Sequence, residues 1–392
     1  MSVTRSKLPD SDVLPSPWVR RFDVQGGLLL LDRASNTLLA YNDVARCIWD
    51  LIEAGRSEPE AVAAIAERWG IPASLAQDDI HSILALWRTQ GLLAGDAELP
   101  ADRASGSGSE PVALPSVAPD DWVCTIHKTA IAFTMAAELL APVRALFSHL
   151  ETPGAVVQSR MMIARTPSGE FVLVEDGQER LRTDETAIAV GALYVAVLER
   201  IRPGLQWFAL MHGAALVRHG HGFALIGSTG SGKSTLAAGL MAADFDYLAD
   251  DLVALAQPDA AIVPWPLPIS VKPGSLDILA SRYPDLAQAA RYQTKNIEAR
   301  LLLPDADAWD TPPVKLKTLI FPRFIAGTTP QTRRLSPFEA FERLLTDRVW
   351  LGDPITEERV TAFLAWLDDT PAYALSYGTL DDAVGLVESV IR

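Results

Sequence analysis

The sequence predicts an α/β domain preceded by a small α+β, winged-helix-like module, and three observations carry that expectation. Residues 97–120 (AELPADRASGSGSEPVALPSVAPD) are rich in Ala, Ser, Gly and Pro and have no hydrophobic period. Such a stretch buries too little to offset its ordering entropy and reads as a linker. Before it, three short strand patterns are followed by three helical ones. After it, strand, Gly-rich turn, helix and strand follow in the order of an α/β layer with a mostly buried sheet. The domains expected are therefore 1–96, a linker at 97–120, and 121–392.

In the first segment, Trp18 to Val24, Gly27 to Asp32 and Thr37 to Asn42 read as strands separated by Gly-Gly and Ala-Ser-Asn turns. Val44 to Ala54 then takes a helical period with Val44, Cys47, Ile48 and Leu51 on one face. Ser57 opens a second helix to Trp69, with Glu60 in the capping-box position. Ala76 to Thr89 is a third, striped by Ile80, Ile83, Leu84 and Trp87.

In the second segment, residues 121–180 suggest several strands, Phe171 to Glu175 among them, and Asp184 to Ile201 a helix striped by Ile188, Ala192, Val195 and Leu198. Strands at Ala214 to Arg218 and Gly222 to Ile226 flank a His219-Gly220-His221 turn. A helix from Ser234 to Ala242 and a strand from Tyr247 to Ala254 come next, and helices return at 337–349, 356–368 and 380–391.

Composition narrows the function. The chain has 392 residues, 49% hydrophobic and 21% charged, which excludes disorder for the chain as a whole. A net charge of -15 argues against nucleic acid or an anionic membrane as partner. Two cysteines make neither a disulfide framework nor a zinc cage, and no apolar stretch reaches the ~18 residues of a membrane span. A soluble, cytoplasmic protein is expected. Lysine is scarce, 7 against 27 Arg, so each Lys repays inspection.

The strongest motif is Gly227, Ser228, Thr229, Gly230, Ser231, Gly232, Lys233 and Ser234, matching G-x-x-x-x-G-K-[ST], with Thr235 next. Glycines let backbone N–H groups turn around phosphate oxygens, Lys233 reaches the β and γ phosphates, and the Ser234 hydroxyl can hold Mg²⁺. A flexible Gly/Ser turn is the plain alternative, and the apolar strand before and helix after favour the phosphate reading. ATP and Mg²⁺ are thus the cofactors expected. Asp250 and Asp251 end the DYLADD run, and a kinase needs both a metal-holding carboxylate and a base for the acceptor hydroxyl. His212, in MHGAAL, is either a structural histidine or part of the site. His219 and His221 read as exposed turn residues. Lys272, in PWPLPISVKPG, could present a cation to transferred phosphate or simply be solvated; Arg323 and the pair Arg333 and Arg334 are weaker candidates of that kind.

His212-Gly213, Gly227 to Thr235 and Asp250-Asp251, in that order and spacing, resemble the core of the HPr kinase/phosphorylase family. PLPISVK, LIFPRF and YALSYGTLDDAV extend the likeness to the related serine kinases of bacterial peptide gene clusters. The resemblance implies phosphoryl transfer from ATP to a seryl hydroxyl, with His212 assisting, Asp250 the candidate base, and Asp251 with Ser234 holding Mg²⁺. The loop reads GSTGSGKST rather than the GDSGxGKSE type, and the second signature of true HPr kinases is not found, so neither HPr as substrate nor the reverse reaction is implied.

GGLLLLDRASNTLLAYNDVARCIWDLIEAG and DDIHSILALWRTQGLL resemble the PqqD family, the recognition element of ribosomally made, modified peptides. In that family a leader peptide adds as a strand beside the third strand, here Thr37, Leu38, Leu39, Ala40 and Tyr41, against the last helix. The combined expectation is a kinase acting on a Ser of a ribosomal precursor peptide, lasso peptides among the candidates, with a homo-oligomeric state left open. A small-molecule kinase, for instance of free serine, and a nucleotide-regulated adaptor without transfer are the alternatives.

Overall fold

The computed structural model describes residues 14–94, 122–294, 298–347 and 349–391, so the linker expected at 97–120 lies outside the described residues. The chain runs through β1 (Val19–Val24), β2 (Gly27–Asp32), β3 (Thr37–Asn42), α1 (Asp43–Glu53), α2 (Glu58–Trp69) and α3 (Ala73–Thr89). Next come β4 (Trp122–Ile126), β5 (Thr129–Met135), α4 (Ala137–Phe147), β6 (Ser159–Arg165), β7 (Phe171–Glu175), β8 (Gln178–Thr183) and α5 (Thr186–Ile201). They are followed by β9 (Trp207–Met211), β10 (Gly213–Arg218), β11 (His221–Ile226), α6 (Lys233–Met241), β12 (Asp246–Ala249), β13 (Val253–Ala256), β14 (Ala261–Val263) and β15 (Ile269–Val271). The chain continues with α7 (Pro273–Leu279), β16 (Arg291–Gln293), β17 (Glu298–Leu302), β18 (Val314–Phe324) and β19 (Gln331–Arg334). It closes with α8 (Pro337–Thr346), α9 (Glu357–Asp369), β20 (Ala372–Tyr377) and α10 (Leu380–Val390).

Two compact units result. The first takes the described residues of 1–107, 335–346 and 351–369, the second those of 108–334, 347–350 and 370–392. The helices expected at 337–349 and 356–368 do form, with slightly different ends, but they belong to the first unit. The boundary expected at residue 96 is amended accordingly.

The reason is written in β2. Its four leucines, Leu28 to Leu31, are all fully buried, although successive residues of a strand face opposite ways. Leu28 and Leu30 join Ile48, Trp49, Ile80, Leu84 and Trp87 in a core under α1 and α3. Leu29 and Leu31 face the other side, where α8 packs on β3 and α9 on β1. A Cβ on Gly27, two residues before Leu29 and on the same face, would stand 2.1 Å from the Phe338 ring of α8. A strand apolar on both faces needs two covers, and the second comes from the far end of the chain. The Asn36 side chain at the β2–β3 turn secures it, accepting from the Ile355 N–H (2.7 Å) and donating to Asp353 (3.1 Å).

Local signals held where local chemistry decides. Asn42 caps α1, Ser57 and Glu60 form the capping box of α2, and Gly70 ends it in the left-handed conformation. The stripe on α1 is rotated by one residue: Ala45, Ile48, Trp49 and Ile52 are buried, while Val44, Cys47 and Leu51 flank the core. On α5, Ile188 is exposed and Ala189, Leu193, Tyr194 and Val197 are buried. That helix is apolar nearly all round, so period alone could not choose its face.

Among the described residues of the second unit, one sheet has the order β4-β5-β6-β7-β8 and another runs β12-β10-β11-β18-β14-β13-β9, with β20 on β18 and β19 on β20. β11 lies between its antiparallel hairpin partner β10 and the parallel β18, and β18 is parallel to β20 in turn. α6 and α10 pack over this parallel part through Leu236, Leu240, Ala383 and Val387. The strand expected over Tyr247 to Ala254 is two strands: β12 pairs with β10, whereas β13 pairs with β9 and β14. The break falls at Asp250-Asp251.

Candidate functional site

β11 delivers a fully buried Leu225 and an almost fully buried Ile226 to the sheet's edge, and the chain then turns through Gly227 to Gly232 into α6. Gly230 (φ +90) and Gly232 (φ +96) sit in left-handed backbone that favours glycine. At Gly232 a side chain is also excluded by space, since a Cβ would stand 2.9 Å from the Tyr377 hydroxyl. Lys233 opens α6 and is 7% exposed; its ammonium donates to the carbonyls of Gly227 and Ser228. Burial lowers its pKa, opposed by the negative charges of Asp250, Asp347 and Asp251. The Ser231 hydroxyl is buried with no hydrogen-bond partner. A glycine loop running into a helix N-terminus beside one buried ammonium is chemistry that suits an anion.

The acidic corner faces this loop. The Leu252 N–H donates to the Asp250 carbonyl (2.9 Å) across Asp251, whose φ is +66. This is the positive-φ γ-turn, a strained form that an Asp tolerates better than a bulky residue. It turns the two neighbouring carboxylates into different surroundings. Asp250 is buried; burial first, then the charge of Asp251, hold its pKa above the ordinary carboxylate range, and the nearby Ser234 hydroxyl works the other way. One of its oxygens has no partner. Asp251 is exposed, and its carbonyl lies 3.1 Å from His212 Nδ1. If Nδ1 carries the proton it donates there, leaving Nε2 as an acceptor. Gly213 follows because a Cβ there would meet the Leu225 carbonyl at 2.5 Å.

Sequence reasoning paired Ser234 with Asp251 as metal holders; the structure also sets the Ser234 hydroxyl near the buried Asp250. A buried carboxylate with an unpartnered oxygen beside a hydroxyl suits a hard divalent cation such as Mg²⁺. No group of three or more His, Cys, Asp or Glu among the described residues could hold a metal, so a cation here would share its ligands with phosphate oxygens and water.

Of the other predicted residues, Ser228, Thr229 and Gly230 are exposed at the loop tip, and Thr235 is hydrogen-bonded to Ser275 (2.6 Å). Lys272 is exposed, close enough to Lys233 for the two charges to repel. His221 is not an exposed turn residue: it is half-buried and hydrogen-bonded to Thr318 (2.9 Å). Two tyrosines escaped sequence reasoning. Tyr194 and Tyr292 both feel the charge of Asp251, which with burial keeps their hydroxyls protonated. Tyr194 is the one polar-tipped side chain in the run Ala187 to Leu198, the signal that could have marked it.

In the first unit β3 is an edge strand. Leu39 and Tyr41 are half-buried toward the helices, with Tyr41 edge-on to Trp87 (5.6 Å) and donating its hydroxyl hydrogen to Gln90 of the turn after α3. Leu38 is buried, Ala40 half-buried and Thr37 exposed. An edge strand beside a helix offers main-chain hydrogen bonds and side-chain pockets to an extended segment.

Fold and site define a chain in which an α/β unit with a glycine-rich loop at a helix N-terminus is joined to a small α+β module of strands and helices. Residues 27–93 match the family profile of PqqD, coenzyme PQQ synthesis protein D, so that module is PqqD-like. No curated protein matches the chain. Similar solved structures include TbiB1 in complex with the TbiA(beta) leader peptide, at 25% identity over 21% of this chain and 98% of that one, with a TM-score of 0.20. Another is the Hpr(Ser) kinase/phosphatase from Coxiella burnetii, at 12% identity over 46% of this chain and 96% of that one, with a TM-score of 0.22. At these scores neither likeness bears on the site. No helix among the described residues is long and apolar enough to cross a membrane.

Proposed function

We propose that the chain is an ATP-dependent kinase that phosphorylates a seryl hydroxyl of a ribosomally made peptide held through its leader by the PqqD-like module. The observation that carries the reading is the cluster of buried Lys233 and Asp250 with the half-buried Ser234 at the mouth of the glycine loop, facing an exposed Asp251. Gly230, Gly232 and Lys233 bind and orient the triphosphate. Ser234 and Asp250 hold Mg²⁺, which when bound neutralises charge on the β and γ oxygens. Asp251, exposed and positioned by the turn that His212 braces, accepts the acceptor hydroxyl's proton. The seryl oxygen–phosphorus bond forms as the bond from the γ phosphorus to the bridging oxygen breaks, and ADP leaves. These roles exchange the two aspartates relative to the family expectation, and the burial of Asp250 near Ser234 beside an exposed Asp251 is what favours the exchange.

The leader adds to β3 over Leu39 and Tyr41. A reducing cytoplasm, where ATP is made and two free thiols persist, suits this reading. The test is transfer of labelled γ-phosphoryl from ATP to a leader-bearing seryl peptide and to free serine. Incorporation into the peptide supports the reading. Incorporation into serine alone would replace it with a small-molecule kinase, and nucleotide binding without transfer to either would leave an adaptor.

A further inference from the structure

On the side of the phosphate loop away from Asp250 and Asp251, the parallel strands β18 and β20 end next to each other, at Phe324 and Tyr377. Phe324 is 48% exposed and Ile325 38% exposed. Among the described residues no other phenylalanine is exposed to that degree. Phe324 is held in place. Its ring meets Tyr377 edge-on with centroids 6.1 Å apart, and the Ile325 N–H donates to the Tyr377 carbonyl (2.9 Å). Tyr377 itself is only 3% exposed, and its hydroxyl and the Phe324 Cβ both approach Gly232, at 2.9 and 3.8 Å from where a Cβ would stand. An exposed aromatic ring thus stands one contact from the last residue of the loop, on a buried aromatic support.

The direction of a bound nucleotide follows from the strand order. Asp250 follows the end of β12 on the β10 side of β11, while β18 and β20 lie on the other side. The γ phosphate goes toward Lys233 and Asp250, so the nucleoside leaves the other way. In open α/β sheets ligands lie across the carboxyl ends of the strands. That path crosses Phe324. We propose that Phe324, braced by Tyr377, is the platform on which the base of the bound nucleotide stacks. A base has a π-face that an aromatic ring holds whatever the base's edge. The proposal rests on reading Gly227 to Ser234 as the nucleotide site, and it adds the subsite that separates a nucleotide from a bare polyphosphate.

The test compares Mg-ATP with inorganic tripolyphosphate, which has the phosphates and no base, by titration calorimetry on the full chain and on its Phe324→Ala and Phe324→Trp variants. Expected are a roughly tenfold loss of ATP affinity in Phe324→Ala, no change for tripolyphosphate, and retention of ATP affinity in Phe324→Trp. Because Phe324 is half exposed, the variants should keep the wild-type melting temperature. Equal ATP affinity in Phe324→Ala, or an equal loss for both ligands, would overturn the platform while leaving the loop assignment standing. Wild-type protein that binds neither ligand would overturn both.

Discussion

The edge of β3 and the corner at Asp250-Asp251 are opposite solutions to placing function on a sheet. β3 is regular backbone, and what it offers is the unpaired side of an ordinary strand. Its neighbour β2 is sealed on both faces, by α1 and α3 on one and by α8 and α9 on the other. The corner is the reverse: regular backbone stops, a positive-φ residue turns the chain, and one carboxylate goes inward to Ser234 while the next stays in solvent. Affinity can therefore live on unstrained structure, whereas reactive groups need a break in it. Changes at β3 should alter binding and spare chemistry, and changes at the corner the converse.

The largest effect expected is at the loop. Lys233→Ala should lower transfer by about 10²- to 10³-fold, because its charge is aimed at the developing phosphoryl oxygens. The fold should survive, as read by the melting temperature. Turnover near wild type would detach the corner from phosphate chemistry.

Asp250→Asn should abolish Mg²⁺-dependent transfer and also change stability in a stated direction. Burial and Asp251 raise the Asp250 pKa above its ordinary 3.8. In metal-free protein its contribution to stability is complete below that value and is lost as pH rises through the raised one. The Asn variant escapes that loss, so with chelator present it should melt above wild type, with a gap that widens from about pH 4 to about pH 8. A variant that melts lower at neutral pH would show the buried carboxylate to be a net stabiliser.

Gly27→Ala tests the seal on β2. A methyl there meets the Phe338 ring at 2.1 Å and the Tyr41 carbonyl at 2.5 Å. Overpacking of that kind costs about 1–3 kcal/mol, readable by denaturant unfolding. An unchanged midpoint would mean that α8 does not close this face.

The smallest effect belongs to the edge. Tyr41→Ala should weaken leader-bearing peptide by roughly tenfold, the loss of one aromatic contact with its hydrogen bond. It should leave saturated turnover and ATP affinity as they are. A fall in turnover at saturating peptide would erase the contrast between edge and corner. Truncation at residue 96 is a poorer probe than this point change, since it would strip α8 and α9 of the sheet they cover.

Much of this was legible residue by residue. The glycine loop, the capping box at Ser57 and Glu60, the hairpins of the first three strands and the His212-Gly213 step each depend on a few adjacent residues, and each forms. The stripe on α5 was less legible because that helix is apolar nearly all round, whereas on α1 the apolar face is wide and only its centre line moved, by one residue. The γ-turn at Asp251 was hidden because DYLADDLVALA is apolar on both flanks and reads as one strand; only the competing partners β10 and β9 break it.

What the sequence determined by itself is whatever short-range chemistry decides: which segments are strands and helices, where helices begin, and that a glycine-rich loop carries β11 into α6. The tertiary structure alone decided that Asp250 is buried near Ser234 while Asp251 stays exposed, that Phe324 stands beside Gly232, and that helices beyond residue 336 close the sheet that begins at Val19. Turn and cap energies act across three or four residues and leave a pattern in the chain. Burial and charge pairing act through space, and residues a hundred positions apart carry no mark of each other until the sheet order brings them together.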